Sequence, residues 1–162
     1  MNTSSIELPN LRFGDFDGDG KTDVFMANGS KWSVSYGGTT SWTHINDMTD
    51  MVSNLAFGRF NSDLKTDVFK ATGSEWLVSY GGTGSWVHLN SSSTTLPQLR
   101  FHDFNGNGKT DVFRASGGNW KVSYDGTSGW VTIKSNTITS GLLSGDIDGD
   151  SKTDVLVRNV GL

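Results

Sequence analysis

Residues 14–24 read "GDFDGDGKTDV", and the phrase returns as "GRFNSDLKTDV" at 58–68, "HDFNGNGKTDV" at 102–112 and "GDIDGDSKTDV" at 145–155. Its closing Asp falls at Asp23, Asp67, Asp111 and Asp154, giving steps of 44, 44 and 43 residues. A fixed period of this length means that one supersecondary unit is being stacked. Other landmarks keep the same register. Leu11, Leu55, Leu99 and Leu142 open the units, and Trp32, Trp76 and Trp120 mark their middles. Ser35, Ser79 and Ser123 then begin "SYGGT", "SYGGT" and "SYDGT", and Trp42, Trp86 and Trp130 follow.

Each unit divides into four expected strands. The first is "LRFGDF", which runs into the acidic loop; the second, "DVFMA", is nearly continuously apolar, as a strand covered on both faces should be. An "NG", "TG" or "SGG" step turns the chain into the third, "KWSVSY", and the fourth is "SWTHIN". Four strands in about 44 residues is the size of a β-propeller blade. The reading is an all-β chain of about three and a half antiparallel blades, forming one repeat domain over 1–162. Its units are 11–54, 55–98 and 99–141, with a half repeat at 142–162.

Composition agrees. Gly is abundant at 21 residues against 2 Pro, and no stretch carries a sustained helical stripe. The net charge of −4 is mild, and nearly all the acid is Asp concentrated in the repeated phrases. No Lys/Arg stripe interleaves with the aromatics, so nucleic acid is not an expected partner. Cysteine is absent, which removes disulfides and thiol chemistry. No run of about 18 apolar residues predicts a membrane span, and Met1 to Pro9 is polar rather than signal-like.

The phrase "FGDFDGDGKTDVF" with its trailing strands resembles the FG-GAP or VCBS class of repeats, the calcium-binding blades of integrin-α-type propellers and of many bacterial exported proteins. The resemblance runs from about Leu11 to Val157. It implies a propeller in which the acidic loop joins the first and second strands of each blade, and a secreted or cell-surface location.

The loop residues themselves point to a hard cation. In the first copy Asp15, Asp17, Asp19 and Asp23 stand at loop positions 1, 3, 5 and 9, with Lys21 at position 7 expected to offer its carbonyl and turn its ammonium away. Alternation aims every second side chain inward, and Gly18 and Gly20 let the backbone wrap, which suits Ca²⁺. Mg²⁺ would keep more waters, and Zn²⁺ would want His or Cys. Asp146, Asp148, Asp150, Lys152 and Asp154 repeat the full set; Asp103, Asn105, Asn107, Lys109 and Asp111 repeat its geometry with two fewer charges, predicting weaker binding. In the second copy Arg59 replaces the leading Asp and Leu64 a Gly, so that loop is expected to bind no ion, its guanidinium pairing with Asp63 or Asp67. The rival reading is a set of metal-free Asx turns.

Trp32, Val34 and Tyr36 alternate with serines and so share a strand face, as do Trp76, Val78, Tyr80 and Trp120, Val122, Tyr124; inter-blade core is the expectation. Trp42, Trp86 and Trp130 follow Gly-rich loops, where an exposed ring could carry the apolar face of a sugar; edge-strand packing is the alternative. His44 and His88 read as structural surface histidines. No GxSxG, HExxH or P-loop phrase occurs, so the chain reads as a binder, lectin-like or adhesive, rather than an enzyme. A scaffold with no ligand beyond calcium is the alternative. Fourteen expected strands fall short of the roughly four or more full blades of a ring. Homo-oligomerisation is therefore expected, a dimer before a trimer, with strand exchange by Ser4 to Leu8 as one means.

Overall fold

The computed structural model describes residues 6–158. Its chain divides into two compact units, Met1–Leu96 and Pro97–Leu162.

The first unit holds two four-stranded antiparallel sheets in simple sequence order. One comprises β1 (Leu11–Gly14), β2 (Asp23–Ala27), β3 (Trp32–Ser35) and β4 (Thr43–Asn46); the other β5 (Ala56–Gly58), β6 (Asp67–Ala71), β7 (Glu75–Ser79) and β8 (Val87–Ser91). The second unit holds a third such sheet, β9 (Arg100–His102), β10 (Asp111–Ser116), β11 (Asn119–Ser123) and β12 (Val131–Ser135), and a pair, β13 (Leu142–Gly145) with β14 (Asp154–Val157). Short 3₁₀ turns are the only helical elements among the described residues. Three four-stranded blades and a two-stranded half blade are what the period predicts. One expected strand segment, Ser4 to Leu8, falls partly outside the described residues, and Leu8–Asn10 form a 3₁₀ turn.

Pairing register puts the apolar stripe on one face. Phe25 pairs with Val34 and Ala27 with Trp32, so all four point the same way, while Val24 and Met26 point to the other. In the first unit that Phe/Trp/Val face packs on the second sheet: Phe25, Trp32 and Val34, each 0% exposed, join Val68, Leu55 and Val52 in one cluster with Phe57 and Trp86. The second unit repeats the joint, with Phe113, Trp120 and Val122 against Leu142, Val155 and Val157. Each buried indole also satisfies its N–H locally, Trp32 Nε1 donating to Asp50 O, Trp76 to Thr94 O and Trp120 to Ile138 O.

Adjacent blades are stitched through the acidic phrase itself. Thr66 N–H donates to Asp15 O at 2.6 Å, and Asp15 N–H donates to Thr66 Oγ1 at 2.9 Å. In the second unit Thr153 N–H donates to Asp103 O at 2.7 Å. This close approach explains Gly14: a Cβ there would lie 2.6 Å from Thr66 Oγ1.

Candidate functional site

The acidic phrases form the β1–β2, β5–β6, β9–β10 and β13–β14 loops. In the first, Asp15 is half-buried, Asp17 and Asp19 are exposed, and one carboxylate oxygen from each lies within 4.8 Å of the others. The loop is shaped by its own backbone. Gly18 and Gly20 N–H donate to the two Asp15 oxygens at 2.7 and 2.9 Å, Asp19 N–H to Asp17 Oδ1 at 3.1 Å, and Lys21 N–H to Asp19 Oδ1 at 2.8 Å. These are Asx turns, and each oxygen keeps a second lone pair for the concave side. Gly18 and Gly20 sit at φ 82° and 83°, which lets the chain curl around the carboxylates.

Lys21 does not turn away as expected. Its Nζ lies 2.6 Å from Asp19 Oδ2, because three clustered carboxylates attract the nearest cation. The hydrogen bond from the Lys21 side chain, and then that from its N–H, holds Asp19 below the ordinary carboxylate range. Lys152 repeats the contact on Asp150 at 3.3 Å.

Asp23 stands outside the cluster. It is 1% exposed, and its oxygens accept Phe16 N–H and Gly37 N–H, both at 2.7 Å. Asp67 accepts from Phe60 and Gly81 at 2.7 and 2.8 Å, and Asp111 from Phe104 and Asp125 at 2.8 and 2.7 Å. The ninth position therefore ties its loop to the "SYGGT" or "SYDGT" turn of the same blade, which is why the two phrases recur together. Burial, opposed by the two amide bonds, pushes the Asp67 and Asp111 carboxyls above their usual value.

The fourth loop differs. Ile147 N–H reaches Asp154 at 3.0 Å, and Asp154 joins Asp146 and Asp148 as a second group of carboxylates within 4.8 Å. Asp150 instead accepts from Lys152 N–H at 2.8 Å.

In the third loop Asp103 is wrapped by Gly106 and Gly108 N–H at 2.7 and 2.8 Å, and Asn105 and Asn107 follow the same turns. A residue missed from the sequence completes it. Asp125 replaces the Gly of "SYGGT", adopts φ 54°, accepts Asn107 Nδ2 at 2.7 Å and pairs with the Lys109 ammonium. Burial would raise its carboxyl, but the Lys109 and Asn107 hydrogen bonds outweigh that and hold it low. The Gly-to-Asp change in an otherwise repeated phrase is the signal that marks it.

In the second loop Asp63 accepts Asn61 Nδ2 at 3.0 Å and Lys65 N–H at 2.9 Å. Asp67 accepts the two backbone amides given above. Leu64 takes the left-handed φ of 67° that Gly20 takes in the first loop.

The outer tryptophans are not bare platforms. Trp86 packs edge-on against Trp32, with centroids 5.5 Å apart at 81°, and the Lys70 ammonium lies 4.2 Å from its ring centre. Arg114 lies 4.3 Å from the ring centre of Trp130. Trp42 is half-buried. The alternate face of β6 and β10 thus sets a long cation beside each of these rings, while Trp86 and Trp130 are half-buried like Trp42.

All-oxygen groups such as Asp15, Asp17, Asp19 and Asp146, Asp148, Asp154 fit a metal ion of the hard class. Among the described residues, no helix is long and apolar enough to cross a membrane. No curated protein sequence matches the chain. The fold is similar to that of an Agrocybe aegerita lectin that recognises non-reducing terminal N-acetylglucosamine, with a TM-score of 0.68 and 15% identity over 90% of this chain. The chain spans 46% of that lectin's length. The lectin is a β-propeller, and the four sheets here are blades of that fold. Residues 103–157, from the third acidic loop through β14, match the model of the FG-GAP-like repeat family.

Proposed function

We propose that this chain is a carbohydrate-binding β-propeller module, a binder rather than a catalyst, whose acidic loops take calcium. The observation that carries the carbohydrate reading is the fold shared with a lectin over nearly the whole chain. A glycan array probed with the labelled wild-type protein tests it: saccharide-dependent signal is the expected result, and a blank array contradicts it. The cations beside Trp86 and Trp130 favour the scaffold alternative for those two rings. Trp42→Ala is expected to weaken array binding without altering the melt.

Calcium would be held by Asp15, Asp17 and Asp19 in the first loop and by Asp146, Asp148 and Asp154 in the fourth, more weakly by Asp103, Asn105 and Asn107 in the third. When bound it supplies positive charge that cancels carboxylate repulsion and cross-links two strands. A ligand bound only to the native state at 100 times its Kd stabilises by about 2.7 kcal/mol. Melting in calcium is therefore expected several degrees above melting in EDTA; coincident curves would sink the calcium reading.

Assembly is the third part of the proposal. Leu143, Ile147 and Leu156 are 64%, 56% and 51% exposed, whereas Phe16 and Phe25, at the positions of the latter two in the first blade, are 4% and 0% exposed. Contact with a further blade, supplied by another copy, would cover them. Export to the cell surface or medium accompanies the FG-GAP likeness.

A further inference from the structure

The joint between the third blade and the half blade contains a cavity, and its walls differ from those of the corresponding joint of the first unit. In the first unit the carbonyl accepting the indole N–H of Trp32 is Asp50, and two residues later Val52, 2% exposed, plugs the core from the 3₁₀ turn Val52–Asn54. In the second unit the carbonyl accepting from Trp120 is Ile138, and two residues later stands Ser140, exposed, with no such turn. Leu142 then follows one residue sooner than Leu55 does, which is the residue missing from the 43-residue step. The first unit's pocket of about 230 Å³ lies beside Met51 and does not include Val52; the cavity here has a volume of about 190 Å³, and it reaches Ser140, Phe113 and Leu142.

Its lining has a definite chemistry. Phe113 and Leu142 give an apolar wall, and Gln98, Ser116 and Ser140 offer an amide and two hydroxyls. Arg100 is paired across the ladder with Phe113 and so shares its face. One arm of its guanidinium is anchored, Nη1 donating to Leu99 O at 2.8 Å, which leaves the other donors for a ligand. No Asp or Glu lines the cavity. Drug-sized pockets run to about 300–1,000 Å³, so this one suits a single ring.

We propose that this cavity binds one carboxylated sugar ring, a uronic acid residue, with Arg100 on the carboxylate, the Ser and Gln side chains on ring hydroxyls, and Phe113 with Leu142 against the ring's apolar face. The proposal rests on the carbohydrate reading and names its ligand class and one of its sites. An ionised acceptor on a fixed guanidinium forms the stronger class of hydrogen bond, and this selects the acid over the neutral sugar.

The test is titration calorimetry of the full chain with methyl β-glucuronide and methyl β-glucoside, alongside Arg100→Gln and Ser140→Val. The glucuronide is expected to bind, the glucoside to bind more weakly by roughly tenfold or more, and both variants to lose glucuronide binding while melting like the wild type. Ser140→Val replaces a hydroxyl of the lining with a bulkier apolar group without touching the charge. Equal affinity for the two sugars overturns the role of Arg100, and equal competition by acetate or phosphate overturns ring recognition. Array binding by wild type that both variants keep, with no glucuronide binding, overturns this site and leaves the carbohydrate reading standing. Failure of every saccharide overturns both.

Discussion

Trp32→Ala is expected to destabilise the protein by about 3–5 kcal/mol, a fall in Tm on the order of 10 °C. The indole is 0% exposed and meets Phe25 at 5.6 Å and Trp86 at 5.5 Å between ring centres, so truncation opens a cavity walled on both sides by aromatics. It also strands Asp50 O, which accepts the indole N–H at 3.1 Å. Little relaxation can refill the gap, because the walls belong to two different sheets whose spacing Thr66 and Asp15 hold. Chemical denaturation of Trp32→Ala against Val131→Ala, on a residue 43% exposed, measures the difference. A loss below about 1 kcal/mol, the size of an average point mutation, would mean that the inter-blade face is not the core.

Asp67→Asn is expected to cost about 2–3 kcal/mol although it changes one atom. The carboxylate is 0% exposed and gives one oxygen to Phe60 N–H and the other to Gly81 N–H. Asparagine keeps one acceptor and turns an N–H₂ toward the second amide, leaving two donors face to face in a buried site. Relief of the buried charge offsets part of this. The pH dependence has a definite sign. Burial raises the Asp67 carboxyl above its value of 3.8, so between that value and the raised one the native state holds a proton that the unfolded chain has released. This group's contribution is fully present below 3.8 and declines as pH rises through the raised value. The gap between wild type and Asp67→Asn should therefore narrow across that window and stay flat above it. Urea melts at several pH values check this; a gap that widened with rising pH would reverse the assignment.

Much of the blade was legible because the period repeats local chemistry. The alternation of Trp32 and Val34 with Ser33 and Ser35 separates the aromatic face of the strand from its serine face, and the "NG" and "TG" steps place the hairpins. What was not legible depends on partners distant in sequence. Asp23 shows that a carboxylate is needed, yet its amide donor Gly37 lies 14 residues on, in another phrase. Thr66 reads as part of "KTDV" until its contact with Asp15 of the preceding blade appears. Lys21 was misdirected because spacing says where a side chain starts and charge decides where it ends. The contacts of Lys70 with the Trp86 ring and of Arg114 with the Trp130 ring join residues that a strand-by-strand view keeps apart. The step of 43 rather than 44 stands in the sequence, but the missing residue acquires meaning only when Val52 and its 3₁₀ turn have been located in the first joint.

The proposal that the acidic phrases hold calcium and that the blades associate through their uncovered faces is most directly tested by native mass spectrometry in a calcium-containing volatile buffer, which counts subunits and ions in one spectrum. The expected species is an oligomer, a dimer before a trimer, carrying at least the two ions per chain that the two carboxylate groups can hold. A monomer free of metal would contradict both the calcium and the assembly claims.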